Sequence, residues 1–366
     1  MARQEPRPLR RGWTTGACAA AAARAAYAAL LTGDFPDPVT IRLPRGQRPS
    51  FPLALAEFIG NGARAGIIKD AGDDPDVTHG ATIIAQLAWA APGSGVGFAA
   101  GEGVGTITRP GLQLGVGEPA INPAPRAMIR EGLVELAEAN GAPLPDVTVT
   151  ITIPGGERLA EKTMNARLGI VGGLSVLGTT GIVVPYSCAS WVHSIHRGID
   201  VARAAGIDHI AAATGTASER AVQRLYGLPD QALIDMGDFV GGTLKYLRSC
   251  PVPLLTLAGG FAKMAKLAGG HLDLHSSKSA VDTVMLTEML AATGAGGATL
   301  AAAQASDSAG SVLDAAGEWG PALAESIARR AREVALATLS GATAVEVAII
   351  DRRGAFLARV GAEVQP

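Results

Sequence analysis

The densest run of reactive side chains is Lys69-Asp70-Ala71-Gly72-Asp73-Asp74-Pro75-Asp76-Val77-Thr78-His79-Gly80, four carboxylates with a lysine and a histidine in one stretch. Asp, Gly and Pro favour turns, so a solvated acidic loop is one reading. The other is chemical. Like charges packed this closely raise the pKa of some of them, as a general acid or base requires. Calcium is a further reading, although the spacing is not that of an EF-hand, which needs alternating ligands and a terminal Glu.

Two glycine-rich stretches could cradle a ligand. Residues 166–184 open with a short apolar run at 168–171 and continue through Gly172, Gly173, Gly178 and Gly181 with Thr179 and Thr180. Glycines after a buried strand let backbone N–H groups approach a ligand. Gly101-Glu102-Gly103-Val104-Gly105 looks like a nucleotide loop, but such a loop should open a helix. The β-like Thr106-Ile107-Thr108 and then Pro110 follow instead. The motif is therefore a decoy, and Glu102 and Arg109 stay as ligand candidates. Thr14-Thr15-Gly16 precedes an Ala-rich run, where threonine is a fair helix N-cap. Exposed N–H groups and two hydroxyls there could also hold an anion. His271 and His275 stand four apart, and His193 and His196 three apart; neither pair has an evident third metal ligand. Cys18 reads as a small packing residue.

The elements that position these residues change character along the chain. In residues 1–165, strands at 39–43, 52–58, 96–100 and 147–153 mix with helices after Thr14 and from Pro123 to about Asn140, an α+β pattern. Residues 1–12 read as a loose basic tail. From 166 to 366 the order becomes strand then helix, with strands at 168–171, 207–213, 232–234 and 252–258. A mostly parallel, Rossmann-like α/β sheet follows from that alternation. Thr216 and Glu219 have capping-box spacing. A hairpin at 345–360 is free to join either sheet. In open parallel sheets ligands bind beyond the carboxyl ends of the strands. That rule gathers Gly172, Gly173, Gly215, Thr216, Asp235, Asp238, Gly259 and Gly260 along one edge. An acid there accepts from ribose hydroxyls, which fits an adenosine-containing ligand without separating NAD from S-adenosylmethionine.

Totals narrow the classes. The chain has 366 residues, 48% of them hydrophobic but only 4% aromatic, and 47 glycines, so two closely packed cores of small aliphatic side chains are expected. A net charge of −2 offers no global field for nucleic acid or acidic membrane. No apolar run approaches the roughly 20 residues of a membrane span. The N-terminus lacks a signal-peptide core. A cytoplasmic protein is expected. Three separated cysteines make a disulfide framework or cysteine zinc site unlikely on spacing.

Several blocks together resemble the CbiD family, C1-methyltransferases of cobalt-precorrin-5B in anaerobic cobalamin biosynthesis. They are Gly12-Trp13-Thr14-Thr15-Gly16-Ala17-Cys18-Ala19-Ala20, the 69–80 loop, Gly101-Glu102-Gly103-Val104-Gly105-Thr106-Ile107-Thr108 and Gly117-Glu118-Pro119-Ala120-Ile121-Asn122-Pro123. Asn165-Ala166-Arg167-Leu168-Gly169-Ile170-Val171-Gly172-Gly173 and Gly270-His271-Leu272-Asp273-Leu274-His275-Ser276 complete the set. The resemblance implies methyl transfer from S-adenosylmethionine to a contracted tetrapyrrole whose cobalt arrives with the substrate, so no protein metal site is needed. On that basis the first half is the ring side, with Thr14, Thr15, Lys69, Glu102 and Arg109 expected to hold the substrate, joined by His275 and Ser276. Asp70, Asp73 or His79 would move a proton. The second half would hold the methyl donor, with Asp235 or Asp238 on its ribose. An NAD-dependent oxidoreductase and a non-catalytic tetrapyrrole carrier are the competing classes. The oligomeric state is not legible.

Overall fold

Small side chains set the architecture of the first unit. The structure is a computed structural model that describes residues 8–361 and divides into two units, Met1–Cys188 and Ala189–Pro366. In the first, β1 (Gly12–Trp13) leads into α1 (Thr15–Thr32). The Thr14 hydroxyl accepts from Ala17 N at 3.2 Å, as an N-cap does, and Gly33 ends the helix in left-handed geometry. Ala19, Ala21, Ala22, Ala23 and Ala26 are fully buried, so the helix can lie close to its neighbours.

β2 (Val39–Thr40) and β3 (Ser50–Phe51) form a small antiparallel pair. β4 (Leu55–Ile59), β5 (Gly62–Ile68) and β6 (Thr82–Trp89) make an antiparallel meander, and β7 (Val96–Ala100) and β8 (Thr106–Ile107) follow. Next come α2 (Pro123–Ala139), β9 (Val147–Thr152), α3 (Gly156–Ala160), β10 (Ile170–Val171) and β11 (Ile182–Val183). The main sheet has the order β4-β5-β6-β9-β7, with β9 antiparallel to β6 and parallel to β7. Its inward side chains, among them Ile67, Ile83, Leu87, Val149 and Ile151, pack with α1 and with Ile129 and Leu133 of α2.

The second unit runs α4 (Cys188–Ala204), β12 (His209–Ala213), α5 (Thr216–Tyr226), β13 (Leu233–Asp235), α6 (Val240–Ser249), β14 (Leu254–Gly260) and α7 (Phe261–Ala268). Helices α8 (Thr283–Ala292), α9 (Gly297–Gln304), α10 (Ala309–Ala316) and α11 (Gly320–Leu339) precede β15 (Ala344–Ile350) and β16 (Phe356–Val360). The strand order is β13-β12-β14-β15-β16; all pairs are parallel except β15–β16. Alternation divides the core. Ile210 and Ala212 join side chains of α4, α6, α7 and α11, whereas Ala211 and Ala213 meet Ala221 and Val222 of α5. The C-terminal hairpin belongs to this sheet. Among the described residues, no helix is long and apolar enough to cross a membrane.

Three expectations change. The run at 168–171 does not open the parallel sheet: Ile170 and Val171 pair antiparallel with Ile107 and Thr106, and Ile182 and Val183 pair with Trp13 and Gly12. These ladders keep residues 166–188 with the first unit, so the division falls at Cys188/Ala189 rather than 165/166. Thr216 is the first residue of α5, not its cap; Gly215 is the N-cap, and the Ser218 hydroxyl donates to its carbonyl at 2.8 Å. Of the tail expected at 1–12, residues 1–7 lie outside the described residues, while Arg10 and Gly12 are fixed.

Candidate active site

The acidic loop is tied down by its own charges. Lys69 is 1% exposed, and its ammonium donates to Asp76 and to the Thr78 hydroxyl at 2.7 Å. Asp76 also accepts from Thr78 N at 2.8 Å. Burial opposes ionisation of Asp76, but Lys69 and Thr78 outweigh it and hold the carboxyl below its ordinary range. Lys69 thus closes the loop on itself, and the expected contact with substrate carboxylates is not available to it.

Asp70 and Asp73 fasten the N-terminal segment. The Arg10 guanidinium donates to both Asp70 oxygens, through Nη2 at 2.9 Å to Oδ1 and through Nη1 to Oδ2. Arg10 N donates to Asp73 Oδ2 at 2.6 Å, and Asp73 N to Arg10 O at 2.9 Å. The Arg10 hydrogen bond, helped by Gly72 N, pulls the Asp70 pKa down to about 2. The expectation of raised pKa values therefore fails for Asp70 and Asp76. Each carboxylate found a cation or an N–H donor, which the crowding argument left out. Asp70 is a fixed anion, too weak a base to take a proton near neutrality.

His79 stays 53% exposed at the ring. Its Nδ1 accepts from Ala71 N at 3.1 Å, so the neutral imidazole carries its proton on Nε2. The group offers a donor rather than a lone pair. Asp74 Oδ1 accepts from Tyr186 N at 2.8 Å, and Tyr186 has a left-handed φ of 55°. Tyr186 was not anticipated; a non-glycine residue in that conformation has no local sequence signal.

The start of α1 does not serve an anion. Thr14 and Thr15 are buried, Ala17 N is taken by Thr14, and Gly16 N donates to Leu177 O at 2.9 Å. Burial pushes the Cys18 thiol up to about 12 despite Lys69 nearby, which makes it inert. Glu102 is exposed in a turn with no helix after it, and Arg109 lies half-buried over Gly169.

Gly172 and Gly173 lie in the first unit, whereas the strand ends they were grouped with belong to the second. A Cβ on Gly173 would stand 2.3 Å from the Gly103 carbonyl carbon, and one on Gly156 would stand 2.3 Å from the Gly103 oxygen. Here glycine permits backbone crossing.

The remaining cofactor candidates do share one edge. β12 lies between β13 and β14, and Ala213 is level with both Asp235 and Ala258. The chain leaves β12 and enters β14 in opposite senses across the sheet, which makes the β12/β14 edge a topological switch point, where such sheets open a crevice. Thr214 N donates to Ala258 O at 2.9 Å. A Cβ on Gly215 would meet no atom within 4 Å, whereas one on Gly259 would crowd Thr214 Oγ1 at 2.8 Å. Gly215, Thr216 and Gly260 thus line the edge, with Gly259 packed beneath it. Asp235 ends β13, and its carbonyl accepts from Trp191 Nε1 at 3.1 Å.

Asp238 has other work. It pairs with Lys263, which also donates to Leu274 O at 3.2 Å, and Leu274 N donates to Asp238 O at 2.9 Å. With Lys266 Nζ on Leu274 O at 3.0 Å, this fastens residues 270–278. That segment is not helical, so His271 and His275 share no helix face. His275 Nδ1 turns to Ser277 Oγ at 2.8 Å, and His275 and Ser276 lie in the second unit rather than with the other substrate candidates. His196 stacks on Tyr246 at 3.9 Å.

Comparison with known proteins agrees with these motifs. The family model CbiD matches residues 2–185, and the CbiD C-terminal domain matches 273–361. The cobalt-precorrin-5B C(1)-methyltransferase of Brucella anthropi is 58% identical over 359 residues, 98% of this chain and 97% of that protein. The protein of that name from Methylorubrum extorquens is 57% identical, covering 96% of this chain and 97% of its own length. A solved cobalamin biosynthesis protein (cbiD) from Archaeoglobus fulgidus is 28% identical over 71% of this chain and 80% of that one, with a TM-score of 0.40. The chain belongs to the CbiD family.

Proposed function

We propose that this protein transfers the methyl group of S-adenosylmethionine to C1 of cobalt-precorrin-5B, giving cobalt-precorrin-6A and S-adenosylhomocysteine. Near-full-length likeness to C(1)-methyltransferases carries the reading. The second unit acts as a Rossmann-like donor domain, supported by four parallel strands with helices on both faces and the switch point between β12 and β14. A cytoplasmic location suits two charged, water-soluble reactants.

The donor supplies an activated methyl on a sulfonium. What the chain must add is alignment of methyl, sulfur and C1, and orientation can lower such a barrier by several kcal/mol. Gly215 and Gly260 give the donor backbone approach, and the Asp235 carboxylate accepts from ribose. Asp238 pairs with Lys263 beside it. On the ring side, Arg109 and the His79 Nε2–H donate to substrate carboxylates, and Asp73 is an exposed carboxylate of the loop that carries His79. Cobalt is part of the substrate.

Thermal unfolding with S-adenosylhomocysteine or NAD tests the reading. A ligand at 100 times its Kd adds about 2.7 kcal/mol, several degrees in the midpoint. A shift with S-adenosylhomocysteine alone supports the proposal; a shift with NAD alone overturns it.

A further inference from the structure

Trp191 is an aromatic residue that the fold leaves half outside. It is 47% exposed, in the first turn of α4, yet it is not loose. Its Nε1–H donates to the Asp235 carbonyl at 3.1 Å, and a Cβ on Gly237 would lie 3.4–3.5 Å from Nε1, Cε2 and Cζ2 of the indole. Gly237 is left-handed, with φ of 54°, so other residues would be strained there. Phe239 supports the ring at 6.4 Å between centroids. Indoles are normally buried for their large apolar area. This one is instead pinned by its polar edge to the last residue of β13, with much of its surface open.

The position fits one ligand part. Across the strand ends the order is β14, β12, β13, and Trp191 lies against the end of β13 and Gly237. Neighbouring strands are about 4.8 Å apart, so this edge spans about 10 Å. A donor with its sulfonium end by Gly215 and Gly260 and its ribose on Asp235 would carry its base past β13. A purine has two apolar π faces, and stacking on an aromatic side chain suits it. We propose that the exposed indole of Trp191 stacks on the adenine of the methyl donor. This rests on the donor site proposed above.

The test uses the full-length protein, S-adenosylhomocysteine as probe, calorimetric titration and tryptophan fluorescence. Wild type is expected to bind with a change in tryptophan emission. Trp191→Ala should weaken binding roughly 10-fold to 100-fold. Trp191→Phe should stay within a few-fold of wild type while losing most of the emission change. The far-ultraviolet spectrum and melting midpoint of each variant check folding. Unchanged affinity in Trp191→Ala, or an unchanged emission response in Trp191→Phe, overturns the stacking proposal and leaves the donor reading standing. If wild type binds no S-adenosylhomocysteine, both fall.

Discussion

Arg10 grips Asp70 through both terminal nitrogens, across 60 residues of sequence. The acid most suggestive of catalysis is therefore a clasp for the strand β1 and the helix behind it. Because the folded pKa of Asp70 is about 2, below the ordinary 3.8, its contribution is fully present above about pH 4 and is lost as pH falls toward 2. Asp70→Asn should melt below wild type at pH 7, with the gap closing between pH 4 and 2. Melting curves across that range check it. Solvent exposure of the pair keeps the effect small.

Lys69 should matter to stability, not to substrate affinity. Lys69→Met leaves the part-buried Asp76 carboxylate without its cation, which should cost about 3 kcal/mol. Denaturant unfolding reads the loss. Unchanged stability with a raised KM would return Lys69 to the substrate site.

Gly173→Ala separates packing from cofactor contact. The added Cβ meets Gly103 backbone at 2.3 Å, and overpacking of this kind costs about 1–3 kcal/mol. Folded variant protein should bind S-adenosylhomocysteine with wild-type affinity. Weakened binding with unchanged stability would place the glycine back at the donor.

Under the second sheet, Glu346 is 2% exposed and accepts from Tyr226 Oη at 2.6 Å, Thr256 Oγ1 at 2.8 Å and Arg359 Nε at 3.2 Å. Tyr226→Phe should lose about 1 kcal/mol. His209, 2.8 Å from Thr256 Oγ1, is held neutral: burial lowers its pKa below 6.5, with Glu346 partly opposing. The unfolded chain then takes up the proton first, so stability falls as pH drops below about 6.5. His209→Asn should flatten the slope between pH 7 and 5. A slope equal to wild type would show that another group titrates there.

Asp235→Ala should weaken S-adenosylhomocysteine binding about 10-fold, the loss of one or two hydrogen bonds to a carboxylate. Asp238→Ala, by contrast, should lower stability, because it frees Lys263 and the 270–278 segment.

What was legible follows from range along the chain. Apolar runs ending in glycine or acid, such as those leading to Asp235 and Gly259, read directly as parallel strands, because burial on both faces is a local pattern. The stretch 168–173 shows the same pattern, yet its partner strand is the two-residue β8, which no local feature reveals. Charge crowding at 69–80 was visible, but the partner of Asp70 lay in what looked like a loose tail. The Ala/Gly-rich region 291–317 hides α9 and α10 because small residues leave little periodic contrast. Trp191 escaped notice since its partner is a main-chain carbonyl 44 residues on.

Methyl transfer itself can be followed directly. The protein would be given cobalt-precorrin-5B and S-adenosylmethionine carrying a carbon-13 methyl. Label is expected at C1 of the ring, with one S-adenosylhomocysteine per ring converted. Unlabelled ring, recovered unchanged although both reactants bind, would contradict C1 methyl transfer by this protein.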